Sequence, residues 1–142
     1  MVDRNLILRK LTEIDQYHEQ IKEFTKISAS EYAASWKTQR IVERTLQIMI
    51  EVCADIANHI VADKGFRTPK SYADTFQVLG EQGILSPELS LTLQDMAKFR
   101  NIVVHGYDKV DEAIVVSILG TRLDDFSAYK KSVLAFLAEA AE

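Results

Sequence analysis

The sequence predicts an all-α fold, an up-and-down bundle of about five helices in a single domain over residues 1–142. Three observations carry that prediction. Apolar residues recur at helical spacing, and the period-2 alternation of half-buried strands is almost absent. Capping residues stand just ahead of the apolar stripes and glycines just behind them. The chain has 142 residues and is 47% hydrophobic. A domain of that size buries roughly 68–70% of its unfolded surface without needing staples.

The elements follow in order. A first helix is expected over residues 4–24, with Ile7, Leu11, Ile14, Ile21 and Phe24 on or near one stripe; Arg9, Glu13, Gln16 and Gln20 fall largely opposite. Ser28 or Ser30 can cap a second helix running from residue 31 to about 63. In it Ile41, Thr45, Ile48, Val52 and Ile56 make one apolar row, and Val42, Leu46, Met49, Cys53, Ala57 and Ile60 the next. So broad a face suits packing against more than one partner. At 1.5 Å per residue the helix would reach roughly 50 Å, long for this domain, which points to a bend or to an extension into an oligomer. Trp36 and Tyr32 fall on its exposed-looking start. Gly65 ends it, and Thr68-Pro69 breaks the pattern. Ser71-Tyr72-Ala73-Asp74 has the form of a capping box opening a third helix to about residue 81, closed by Gly83. Ser86-Pro87-Glu88 supplies the cap, first-turn proline and early acid of a fourth helix. Leu89, Leu93, Met96, Phe99 and Val103 stripe it, and Gly106 stops it. From Asp111 a last helical region carries Ile114, Val115, Ile118 and Leu119, then Phe126, Tyr129, Val133, Phe136 and Leu137, with Gly120 as a candidate break.

The totals narrow the function. One cysteine, Cys53, allows no internal disulfide and points to a reducing compartment; its place in an apolar row reads as core packing. The first ten residues are charged and lack the apolar centre of a secretory signal. No apolar run approaches the ~20 residues of a bilayer span. A soluble cytoplasmic protein with no membrane partner is expected. The net charge of −4 argues against broad, non-specific binding of nucleic acid, but it leaves room for a local cationic site.

The greatest chemical content lies in Phe99-Arg100-Asn101-Ile102-Val103-Val104-His105-Gly106-Tyr107. Arginine offers a planar fork of donors to a phosphate, and histidine exchanges a proton near neutral pH. Together these are what metal-free cleavage of RNA requires. RNA carries its own nucleophile, the 2′-hydroxyl: a histidine takes its proton while an arginine steadies the charge developing on phosphate. The products are a 2′,3′-cyclic phosphate and a 5′-hydroxyl, a route closed to DNA. On a continuous helix Arg100 and His105 lie roughly 140° apart. If the helix ends near Val104, His105 and Tyr107 can turn back beside Arg100, with Gly106 giving the freedom to do so. His105 then sits at a helix C-terminus, where the dipole favours its charged form. By spacing alone Arg-x4-His is a common pattern, and a histidine holding a helix end structurally fits it equally well.

Lys64, Arg67 and Lys70 form a basic cluster with no acid between them, either a solvated loop or a contact for RNA phosphates. Asp55 and His59 are an i,i+4 pair with Asn58 beside them. Two ligands are too few for zinc, so no metal site is expected. His59 or Asn58 either supports the arginine–histidine motif across the helix packing or makes a structural hydrogen bond. His18 sits in a polar run and reads as surface. No Gly-rich phosphate loop and no Ser-His-Asp arrangement is present, and no cofactor is implied.

The stretch from Arg100 to Tyr107 resembles the Arg-Asn-x3-His-x-Tyr signature of the HepT-like branch of the HEPN superfamily. Asp55-Ile56-Ala57-Asn58-His59-Ile60 is similar to that family's second-helix segment, and Ser71-Tyr72-Ala73-Asp74 through Gly83-Ile84-Leu85 to its third helix and following turn. Asp108-Lys109-Val110-Asp111 looks like the segment after its motif. The likeness covers about residues 40–115 in order; the first ~30 residues and those after Gly120 add nothing to it. It implies a HEPN-like helical fold and a homodimer whose arginine and histidine motifs meet from two protomers in one cleft. It implies a metal-independent endoribonuclease toxin, neutralised by a cognate minimal nucleotidyltransferase antitoxin. Arg100 and His105 would be catalytic, and Asn101 would orient the site. In at least part of the family the antitoxin transfers AMP to the motif tyrosine, here Tyr107. The alternative is a catalytically silent HEPN adaptor that presents substrate to a nucleotidyltransferase, a role that would not require the Arg100/His105 pair.

Overall fold

The computed structural model describes residues 2–106 and 110–140. Among them the chain forms seven α-helices and a short 3-10 turn and no strand, the all-α fold expected. Helix α1 spans Arg4–Ile21 and starts where the Asp3 carboxylate accepts the Leu6 N–H. The turn Lys22–Phe24 follows. Helix α2, Ala29–Ala34, opens on a full capping box between Ser28 and Glu31.

The single long helix expected from residue 31 is in fact two. Ser35 is extended (φ −126°, ψ 102°), and its hydroxyl accepts the Thr38 N–H, which starts α3 at Trp36–Lys64. Serine hydroxyls offer the backbone an alternative to helical bonding, and here the alternative prevails. Gln39 secures the break by donating its amide to the Tyr32 and Ala33 carbonyls (3.0 and 3.2 Å). The bend folds α2 back onto α3, so Tyr32 is buried, against the exposed position expected for it. Trp36 stays exposed.

Later boundaries fall near their expected places. Gly65 takes the left-handed conformation that ends α3 (φ 66°). Ser71 caps α4, Tyr72–Glu81, through the Asp74 N–H. Asp74 does not complete a capping box; its carboxylate accepts the Lys70 N–H instead. Ser86 caps α5, Pro87–His105, with proline in the first turn. Asp111 caps α6, Glu112–Thr121. Gly120 lies inside α6, so the division of the last helical region comes just after it, before α7 at Asp124–Ala140.

Helix α3 is the axis of the bundle. The row Val42, Leu46, Met49, Cys53, Ala57 and Ile60 is buried throughout, whereas the neighbouring row emerges at its start, where Ile41 is exposed. By length and mean hydropathy alone α3 could cross a bilayer, which sequence inspection did not anticipate; 56% of its most apolar window is buried against the other helices. Helix α1 packs along it, and α7 closes the far side, where the buried Tyr129 hydroxyl donates to the Cys53 carbonyl (2.8 Å). The buried apolar side chains form one cluster.

Helices α4 and α5 approach closely, and the approach rests on two small residues. A Cβ at Gly80 would lie 2.5 Å from Ser90 Oγ and 2.8 Å from Ser90 Cβ. Ser90 Oγ is already committed, donating to the Phe76 carbonyl (3.0 Å). This contact holds α5 against the bundle. Gly80→Ala is therefore expected to destabilise the fold by about 1–3 kcal/mol through overpacking. Gly120→Ala, in the last turn of α6 with its nearest outside atom 4.0 Å away, should not destabilise it and should add no more than about 1 kcal/mol. Urea denaturation of both variants measures this. Equal and same-signed shifts would contradict the close approach.

Candidate functional site

Helix α5 carries the motif, and its continuity decides the geometry. The helix runs unbroken through His105, and Gly106 is extended (φ −72°, ψ 105°) rather than left-handed. His105 does not turn back beside Arg100, as an earlier helix end would have allowed. With about 100° per residue the two side chains leave opposite sides of the helix. Arg100 shares its side with Leu93, Met96 and Ala97, which are buried. His105 falls on the exposed side, in line with Leu91, Asp95, Lys98 and Ile102.

Arg100 reaches inward to α3. Its Nε and Nη2 both donate to Glu51 Oε2, at 2.9 and 2.7 Å. Nη1 donates to Asn101 Oδ1 at 3.1 Å. The Tyr72 ring of α4 lies against the guanidinium, with Cζ 4.4 Å from the ring centroid, a distance at which cation–π attraction operates. The ion pair is shielded: 14% of the Arg100 side chain and 26% of the Glu51 side chain are exposed. Gln47 adds a donor to the same Glu51 oxygen (3.3 Å). Sequence inspection singled out Arg100 and Asn101 but missed Glu51 and Tyr72. Glu51 stands four residues before Asp55 on the polar side of α3, in line with Gln47, and nothing in its spacing pointed to Arg100.

The remaining candidates are dispersed. Asn58 Oδ1 accepts from the buried Thr75 hydroxyl (3.3 Å), tying α3 to α4 behind Tyr72. His59 is half-buried and makes no hydrogen bond or ion pair among the described residues. Asp55 pairs with Lys10 (3.7 Å) rather than with His59. His18 is half-buried, edge-on to Phe126, instead of lying at the surface. Tyr107 lies outside the described residues. Among the described residues no cluster of histidine, cysteine and carboxylates could hold a metal ion.

The Lys64–Arg67–Lys70 cluster is not a set of three open cations. Arg67 spends four N–H contacts on two carboxylates: Nε and Nη2 on Glu81 (both 2.8 Å), Nη1 and Nη2 on Asp74 (2.9 and 2.8 Å). The guanidinium holds the Asp74 carboxyl down at about 2. The Lys64 ammonium lies 5.6 Å from the Phe136 ring centroid. Lys70 lines a hollow of about 340 Å³ with Asp55, Asn58 and Tyr72. A larger cleft, about 560 Å³, opens beside Gly106 and is lined by Arg40, Arg44, Gln47 and Val103 among others.

Comparison with known proteins matches this architecture to one family. The family model described as Ribonuclease HepT-like matches residues 14–133. The chain is 31% identical over 134 residues to the tRNA nuclease HepT of Aphanizomenon flos-aquae, covering 93% of this chain and 90% of that one. It is 30% identical over 125 residues to the mRNA nuclease HepT of Shewanella oneidensis, covering 88% and 93%. In three dimensions it superposes on the tri-AMPylated Shewanella oneidensis HEPN toxin, solved in complex with MNT antitoxin. The TM-score is 0.85 at 30% identity, over 95% of this chain and 99% of the other. A toxin–antitoxin structure with AMP-PNP gives a TM-score of 0.86 at 29% identity, over 93% and 99%.

Proposed function

The chain belongs to the ribonuclease HepT-like family, and from that premise we propose that it is a metal-independent endoribonuclease toxin held in check by a minimal nucleotidyltransferase antitoxin. The observation that carries the assignment of roles is the pairing of a braced arginine with an exposed histidine on one helix. His105 takes the proton of the 2′-hydroxyl, whose oxygen attacks the adjacent phosphorus. Arg100 stabilises the charge that gathers on the phosphate oxygens. The bond from phosphorus to the 5′ oxygen breaks, that oxygen takes a proton from water, and a 2′,3′-cyclic phosphate remains. Asn101 keeps one Nη of Arg100 in place. His59, half-buried on α3, is assigned a supporting role as a polar side chain two turns beyond Glu51.

One protomer points these two side chains in different directions, so we infer a homodimer with one cleft at its two-fold axis, in which each pair takes Arg100 from one chain and His105 from the other. The exposed side of α5 is suited to pairing. Leu91, Asp95, Lys98, Ile102 and His105 recur at alternating intervals of four and three, the seam spacing of paired helices. Leu91 and Ile102 are more than half exposed on it. For the RNA backbone flanking the cut, we assign Lys70, which Tyr72 separates from Arg100, together with Arg40 and Arg44 in the cleft beside Gly106. Arg67 braces the loop before α4, and Lys64 remains a peripheral contact.

His105→Ala and Arg100→Ala should each lower RNA cleavage by about 10²–10⁴-fold while leaving the helical circular dichroism unchanged. Wild-type cleavage should persist in EDTA. Cleavage that survives His105→Ala, or that stops in EDTA, would remove the mechanism.

Regulation is assigned to Tyr107, two residues past His105. AMP on its hydroxyl would add a phosphodiester charge that competes for Arg100 and a nucleoside that fills the cleft. Intact-mass spectrometry after incubation with the partner and ATP is expected to show a mass gain in wild type and none in Tyr107→Phe. A gain of the same size in Tyr107→Phe would place the modification elsewhere.

A further inference from the structure

We propose that Glu51 is a positioning residue for RNA cleavage: its carboxylate holds Arg100 side-on, so that the guanidinium presents its unspent donors to the scissile phosphate. The inference rests on the nuclease reading above and adds to it a residue from a different helix.

The count of donors is the basis. A guanidinium has five N–H groups. Glu51 takes two, from Nε and Nη2, on a single oxygen, and Asn101 takes one, from Nη1. One N–H therefore remains on each Nη. Because Nε and Nη2 converge on the same Glu51 oxygen, the remaining Nη2 hydrogen points away from Glu51, along the end of the group. Paired N–H donors on a planar fork match two oxygens of a phosphate. Tyr72 covers a face of the plane at 4.4 Å and limits its rotation. Glu51 is itself restrained, since Gln47 donates to the oxygen that Arg100 uses. The arginine is braced along one edge, at one amine and on one face, and one hydrogen on each Nη is not spent on Glu51 or Asn101.

The sign of the charge separates this role from simple attraction of RNA. A carboxylate beside the arginine reduces the positive potential that a phosphate meets. A residue serving affinity alone would not be acidic. Orientation is what Glu51 supplies, and a misplacement of about 1 Å in a catalytic group can cost about 10²-fold in rate. Removing the carboxylate should therefore slow the chemical step without weakening RNA binding.

The test is steady-state cleavage of one RNA oligonucleotide by wild type, Glu51→Gln and Glu51→Ala, with the Arg100 Nε–H resonance followed in ¹⁵N-arginine-labelled protein. In Glu51→Ala, kcat is expected to fall about 10- to 100-fold while KM stays equal or drops, and the Nε–H signal should lose its protection from exchange. Glu51→Gln keeps an oxygen in the same place, so it should recover part of both the rate and the protection. If Glu51→Ala fails to fold, Glu51→Gln carries the test, with an intermediate kcat and an unraised KM. Cleavage by Glu51→Ala at or above the wild-type rate would make the carboxylate a brake and overturn the proposal. So would a loss carried by a higher KM, or a Glu51→Gln protein no better than Glu51→Ala. A wild-type protein that does not cut RNA defeats the nuclease reading and the cleavage role of Glu51 with it. In that event the Nε–H protection, which needs no substrate, still shows whether Glu51 clamps Arg100.

Discussion

An α-helix turns about 100° per residue, and that angle governs where this molecule presents Arg100 and His105. Helix α5 continues through His105. Five residues of unbroken helix send Arg100 toward the bundle and His105 toward its outside. Bringing the two Cα–Cβ bonds to one side would require unwinding the last turn of α5, a helix that α4 grips through the Gly80–Ser90 contact further back. The separation is therefore a property of the backbone rather than of rotamers.

The two environments differ in chemistry as well as direction. Arg100 lies in a shielded pocket, its charge balanced by Glu51 and its plane laid on Tyr72. Shielded, charge-assisted hydrogen bonds of this kind hold a side chain far better than exposed ion pairs do. His105 is at the surface, near the negative end of a helix and beside apolar Ile102. One residue is fixed and the other presented. A second copy of α5, packed on the stripe that holds His105, would supply what one chain lacks.

Sequence legibility tracked the range of each interaction. Gly65, Ser71, Ser86 and Pro87 announced their boundaries because caps act over three or four residues. The break at Ser35 was hidden: no glycine or proline marks it, and its cause includes Gln39 reaching back to two carbonyls of α2. Tyr32 was misplaced for the same reason, since its burial follows from that bend. The candidate residues Arg100, Asn101 and His105 were readable as a local motif. Glu51 was not, because it stands 49 positions before Arg100 with no periodic or spacing signal of their meeting. The basic cluster misled in a similar way. Its charges are contiguous in sequence, but the carboxylates that neutralise Arg67 arrive from α4, 7 and 14 residues on.

The central claim is that a functional cleft takes Arg100 from one chain and His105 from another. The most direct measurement is cleavage by a mixture of two inactive proteins, Arg100→Ala and His105→Ala, combined in equal amounts under conditions that let subunits exchange. In a dimer that shares residues across its two-fold axis, one of the two arginine–histidine pairs in each mixed dimer would be intact. With half the dimers mixed, the account predicts activity returning to about a quarter of wild type. If the mixture stays as inactive as its components although subunits have exchanged, both residues act from the same chain, and the account is wrong.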